Sequence, residues 1–125
     1  MLRDFDAGVE LLYAAADGGF AEAQYHAGRR VRTRKSTPET QRRAVAWLTA
    51  AVARGHRGAM HELGMVYLQG IKEIGLAPDP ARARALFKQA LDGGGEVLYR
   101  YTDPSGRGWI ITAQQVQRTL ERIPQ

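Results

Sequence analysis

Small and apolar side chains recur along this chain at the three- and four-residue steps of one helical face, and glycines interrupt them at regular places. Ala44, Trp47, Leu48 and Ala51 form one such face, and Ala59, Leu63 and Tyr67 form another. The pattern also repeats at longer range. Stretches 8–19, 44–55 and 83–94 superpose so that Leu11, Trp47 and Leu86 align, then Leu12, Leu48 and Phe87, then Ala15, Ala51 and Ala90. Stretches 21–28 and 57–64 superpose as well, with Ala23 on Ala59, Gly28 on Gly64 and, further on, Val31 on Tyr67. Two kinds of helix therefore alternate, and a fixed period of this sort predicts a stacked array in which each pair buries its apolar face against the next.

Gly19, Gly55 and Gly94 fall where these helices must stop, as glycine takes the left-handed cap conformation without a Cβ penalty. The steps from Ala15 to Ala23, from Ala51 to Ala59 and from Ala90 to Leu98 are all eight residues. The other connection varies, with twelve residues between Val31 and Ala44 and fifteen between Tyr67 and Ala83. A constant turn implies stacking that tolerates no insertion, and a variable one implies a loop at the edge of the array, where partner contacts tend to collect.

Both ends depart from the repeat. The first helix, expected from Asp6, is of the second kind with none of the first kind before it, so Leu11 and Leu12 need cover. After Gly95 the pattern changes to Val97 to Tyr101, a turn over residues 103–108 and Trp109 to Ile111, which predicts a β-hairpin. Thr112 followed by Gln115 predicts a capping box that starts a last helix from Ala113 to about Arg122, with Val116, Leu120 and Ile123 on its apolar side. The chain is thus expected to be all-α, a solenoid of about two and a half repeats over residues 1–95. A hairpin and capping helix over residues 96–125 belong to the same globular unit.

The repeats resemble the Sel-one-like repeat family, α/α solenoids related to tetratricopeptide repeats with a longer and more variable internal loop. Ala59, His61, Leu63-Gly64, Tyr67 and Gly70 match that family's Ala, aromatic, Leu-Gly, Tyr and Gly pattern. Arg43-Ala44, Trp47-Leu48 and Ala50-Ala51 match its Lys-Ala, Trp-Phe and Ala-Ala signature, and the likeness runs from about Asp6 to Gly94. His61 replaces an aromatic, Val31 replaces a tyrosine, and a basic stretch, 29–35, replaces a glycine-containing loop. The resemblance implies a protein-recognition module whose first-type helices line a concave surface, which places Gln24, His26, Arg29, Arg30, Glu62, Met65 and Gln69 among the expected partner contacts. Members of the family act as adaptors and assembly factors, and bacterial ones include secretion-system partners and immunity proteins that occlude a toxin.

Charge sharpens this expectation. The chain carries a net charge of +5, but residues 29–43 alone hold Arg29, Arg30, Arg32, Arg34, Lys35, Arg42 and Arg43 against the single acid Glu39. The remaining eleven bases and twelve acids nearly cancel. A nucleic-acid binder spreads its bases along a face that tracks a phosphate backbone, so one local cluster favours an acidic protein surface contacted by Arg29, Arg30, Arg32 and Arg34. A nucleic-acid-binding module using residues 29–43, or a merely solvated loop, is the competing reading.

Little else points to chemistry. Cysteine is absent, which removes thiolate catalysis and cysteine-ligated metal. His26, His56 and His61 lack metal-site spacing, and His61 falls on a packing position. Neither Ser36 nor Ser105 has the setting of an activated nucleophile. Gly93-Gly94-Gly95 follows no strand and precedes no Gly-Lys-Ser/Thr, so it reads as a helix end. Tyr99, Tyr101 and Trp109 either close a core or form a recognition edge. No cofactor, metal or catalytic residue is expected. No apolar run is long enough for a bilayer span, and Asp4 and Asp6 sit where a signal peptide needs its apolar segment, which points to the cytoplasm, or to the periplasm if the chain is trimmed.

Overall fold

The structure, a computed structural model, describes residues 7–124. The expected helix start at Asp6 lies outside the described residues. Helices α1 (Ala7–Asp17), α2 (Ala21–Thr33), α3 (Pro38–Ala53), α4 (Arg57–Gln69) and α5 (Pro80–Asp92) are followed by strands β1 (Val97–Thr102) and β2 (Gly108–Thr112) and by helix α6 (Ala113–Glu121). Helices α2 and α4 are of the first kind, and α1, α3 and α5 of the second. Sequence neighbours pack on one another in the order of a solenoid, and α2 also touches α4 across the array. None of the described helices is long and apolar enough to cross a membrane.

Local chemistry explains where each helix begins and ends. Thr37 accepts the Thr40 N–H at 3.2 Å ahead of Pro38, and Asp79 accepts the Arg82 N–H at 3.1 Å ahead of Pro80. The expected capping box is present, with the Gln115 N–H on Thr112 Oγ1 at 3.1 Å and the Thr112 N–H on Gln115 Oε1 at 2.9 Å. Gly19 and Gly55 close α1 and α3 at φ 94° and 84°. Arg57 caps the end of α5 from a neighbouring helix, donating Nε and Nη2 to Ala90 O at 3.0 and 2.7 Å and Nη2 to Gly94 O at 2.8 Å.

The aligned small residues admit the aligned large ones. A Cβ on Gly28 would lie 2.4 Å from Leu48 Cγ, and one on Gly64 would lie 2.6 Å from Phe87 Cε1, so both helix pairs close by the same device. One core cluster joins Ala16, Ala27, Val31, Ala44 and Trp47, with Leu12 and Tyr13 packed against it. Trp47 is anchored by its Nε1–H, which donates to Asp17 Oδ1 at 2.8 Å. That bond, with Arg43 beside it, holds the Asp17 carboxyl below its ordinary range. The larger cluster runs from Tyr25 and Leu48 through Leu63 and Phe87 to Leu98, Ile111, Val116 and Ile123, so hairpin and last helix share the solenoid's core. Of the two leucines that need cover, Leu12 is half-buried, whereas Leu11 is 72% exposed.

The variable loop after α4 differs from a loop that simply projects. It turns through residues 72–74 and pairs Ile71 with Leu76, N–H to O at 2.8 and 3.0 Å, and it packs back on α3.

Candidate protein-binding surface

Strands β1 and β2 pair antiparallel, Tyr99 opposite Ile111 and Tyr101 opposite Trp109, and the hairpin lies across the inner side of α2. Trp109 Nε1–H donates to the Tyr25 hydroxyl at 2.7 Å, and the Arg29 guanidinium sits 3.7 Å from the Trp109 ring centre. Tyr101 packs edge-on against His26 with ring centres 4.5 Å apart. Tyr99 and Trp109 are half-buried and pack against the core, whereas Tyr101 is half-buried against His26 and Trp109 at its edge.

A single carboxylate ties this layer together. Glu22 accepts the Tyr99 hydroxyl at 2.6 Å and stands 3.1 Å from His26 Nε2 and 2.7 Å from His56 Nε2. His56 Nδ1 accepts the Ala59 N–H at 3.1 Å as the cap of α4, so its proton resides on Nε2 and points at Glu22. Burial pushes the Glu22 carboxyl up, but the hydrogen bonds from Tyr99, His56 and His26 outweigh it and hold the group below its ordinary range. Burial pulls the His26 imidazole below the usual histidine value and pushes the Tyr25 phenol up to about 12. The Tyr99 phenol is raised by burial and by the negative Glu22 it bonds. Gly58 permits the stack, because a Cβ there would lie 2.9 Å from both the Tyr25 and His56 rings.

Two residues expected at a recognition surface are inside instead. Gln24 is 5% exposed and donates its Nε2–H to Ala16 O at 3.1 Å. Glu62 is 2% exposed, held by Arg32 through Nε and, at 3.2 Å, Nη2, with Arg29 Nε at 4.0 Å. Neighbouring elements shut these positions from water; Glu62 is then paired internally, whereas Gln24 bonds through its Nε2–H only and its side-chain oxygen is buried without a hydrogen-bond partner among the described residues. Arg29, Arg32, Glu62 and Met65 line a residual cleft of about 340 Å³ between α4 and the hairpin. His26 is half-buried beneath Tyr101.

The basic segment therefore divides. Arg29 and Arg32 serve Glu62, and Arg43 serves Asp17 at 2.8 Å. Arg30, Arg34, Lys35 and Arg42 have no ion-pair partner among the described residues. Arg34 and Lys35 stand at the mouth of a cavity of about 350 Å³ where the two variable loops meet. Lys72 reaches the same mouth from the other loop and is also unpaired among the described residues, and Glu73 is the acid on this lining. Val31, Ala44, Val45 and Val66 floor the cavity, and Gln69, at the end of α4, stands on its wall. Gln41, also on the wall, has a side-chain oxygen shut from solvent and without a hydrogen-bond partner among the described residues.

Sequence reasoning missed Lys72 and the meeting of the loops. Nothing in the repeat register marks Lys72, since it lies in the stretch whose length varies.

A family model described as the Sel1 repeat matches residues 1–20, 21–56 and 58–95. The second segment encloses the helix pair α2 and α3, and the third covers the pair α4 and α5 but for Arg57 at the start of α4. No curated protein and no solved structure is significantly similar to the chain.

Proposed function

Because the chain belongs to the Sel1 repeat family, whose repeats mediate protein–protein contacts, we propose that it is a non-catalytic docking module for an acidic protein partner. It engages that partner through the basic loop edge, not through the inner face of its repeats. The observation that supports this reading is the division of the arginines. The inner face is covered by the hairpin and its charges are matched, whereas Arg30, Arg34, Lys35, Arg42 and Lys72 lack acidic partners among the described residues. Like charges held close repel one another, and an acidic surface relieves that repulsion as it docks. Such a module suits an adaptor, or an immunity protein that covers a functional surface of its target.

The test is a double reversal, Arg34→Glu with Lys35→Glu, compared with the unaltered protein in affinity capture followed by association kinetics on the captured partner. The expected result is an acidic protein whose association slows most at low salt in the variant, with unchanged helicity and melting. Capture of the same partner at the same rate would refute the reading. Binding of single- or double-stranded DNA with a salt slope that falls by about one for each base removed would replace it with the nucleic-acid alternative.

A further inference from the structure

We propose that the cavity between the two variable loops is an anchoring pocket for one acidic side chain and the apolar residue beside it, presented by a loop of the partner protein. The proposal rests on the docking reading above and names the chemistry that the basic edge recognises.

Three observations converge. The first is amphipathic layering: Val31, Ala44 and Val66 are buried and Val45 half-buried at the floor, while the mouth carries Arg34, Lys35 and Lys72. A purely electrostatic surface needs no apolar floor, and a purely apolar pocket needs no ring of cations. The second is charge. Arg32 also lines the cavity, but its guanidinium is spent on Glu62, so the surplus belongs to Arg34, Lys35 and Lys72 against Glu73 alone. A carboxylate at the mouth would meet cations from both loops at once. The third is Gln41, whose side-chain oxygen lacks a partner in the wall. Rotation of that carboxamide offers an entering peptide either an acceptor or two N–H donors.

Size selects among occupants. At about 350 Å³ the cavity is at the small end of pockets that hold ligands, roughly 300 to 1,000 Å³, so it takes a side chain or two and not a crossing helix. The loops themselves are held in place. Ile71 pairs with Leu76, and Thr37 caps α3 directly after the basic loop, so the mouth is largely formed before anything enters.

The experiment uses blocked heptapeptides, acetylated and amidated, that carry Glu-Leu, Gln-Leu or Glu-Ser at their centre between glycines and serines. Each is titrated into the ¹⁵N-labelled full chain while the backbone amides of Ser36, Gln69, Gly70 and Lys72 are followed by NMR. The Glu-Leu peptide should shift these amides saturably, and the other two should bind at least about tenfold more weakly, because each lacks one half of the recognised pair. Ser36→Trp in the basic loop and Gln69→Trp at the end of α4 fill the cavity from opposite sides without altering charge, and either should abolish the Glu-Leu shifts while far-UV dichroism stays unchanged.

Equal binding of Glu-Ser and Glu-Leu, or full binding to both Trp variants, would overturn the pocket and leave the charged docking surface intact. Loss of all binding in the Arg34→Glu, Lys35→Glu variant alongside indifference to the Trp variants would have the same meaning. Absence of any shift with all three peptides at millimolar concentration overturns the pocket as well. Equal shifts with a short single-stranded DNA oligonucleotide would overturn both readings.

Discussion

The ion pair of Glu62 with Arg32 separates stability from recognition. Arg32→Met removes the residue that makes the close contacts to a carboxylate 2% exposed, and leaves only Arg29 at 4.0 Å. Breaking a buried pair by deleting one partner costs about 3 to 5 kcal/mol. Two features lower that figure here. Arg32 is itself 23% exposed, and the remaining Arg29 at that distance still offers attraction on the order of 4 kcal/mol at an effective dielectric of 20. A loss of about 2 to 3 kcal/mol is therefore expected, which for a domain of this size lowers the melting temperature by roughly 8 to 12 °C.

Arg32→Met combined with Glu62→Leu should return to within about 1 kcal/mol of the parent, because a buried pair replaced by apolar side chains of similar volume leaves no bare charge. Arg29 survives in that variant by stacking on Trp109 and reaching water. Urea unfolding followed by far-UV dichroism measures all three proteins, with Arg34→Glu as a surface control expected within about 0.5 kcal/mol of the parent. A single Arg32→Met variant as stable as the control, or a double variant that loses as much as the single, would refute the assignment of Glu62 and Arg32 to the core.

Gly28→Ala gains about 1 kcal/mol of helix propensity but sets a Cβ 2.4 Å from Leu48 Cγ, an overpacking cost of about 1 to 3 kcal/mol, so a modest net loss is expected in urea unfolding. In a Leu48→Ala background the same change should stabilise, and a change of the same sign in both backgrounds would contradict the packing. Trp47→Ala should cost about 3 to 5 kcal/mol, since the ring is 5% exposed and its N–H bonds Asp17, and an unaltered melting temperature would count against it. Burial depresses the folded-state pKa of His26 and His61, so the unfolded chain binds more protons, and stability should fall as pH drops below about 6.5 and level off below the folded values. Melts between pH 8 and 5 check this, and His61→Phe should flatten the slope; a steeper slope in that variant would place the proton elsewhere.

The uneven use of the arginines also bears on how the recognition experiments are built. A reversal at Arg29 or Arg32 sets an acid against buried Glu62 and weakens the fold before it informs on any partner. Arg34, Lys35 and Lys72 have no such obligation among the described residues, so charge changes there report on docking.

Features governed by neighbours within a helical turn or two, together with the repeat that multiplies them, are legible in the residues before any fold is known. The alternation of helices, the glycine stops at Gly19 and Gly55, the Thr112 capping box and the hairpin around residues 103–108 follow from side-chain periodicity and backbone preference. That small positions face large ones follows from the repeat, but which side chain fills each gap, Leu48 at Gly28 and Phe87 at Gly64, is set by the packing of the helices. Tertiary structure alone decided which polar residues are free. Trp109 finds Tyr25 across a separation of 84 residues, Tyr99 finds Glu22 across 77, and Arg32 finds Glu62 across 30. Periodicity places Gln24, His26 and Glu62 on a face of α2 or α4, but whether that face meets water or another segment depends on where the hairpin lands. Burial, and with it the choice between a recognition residue and an internal partner, is a property of the packed chain and not of any stretch of it.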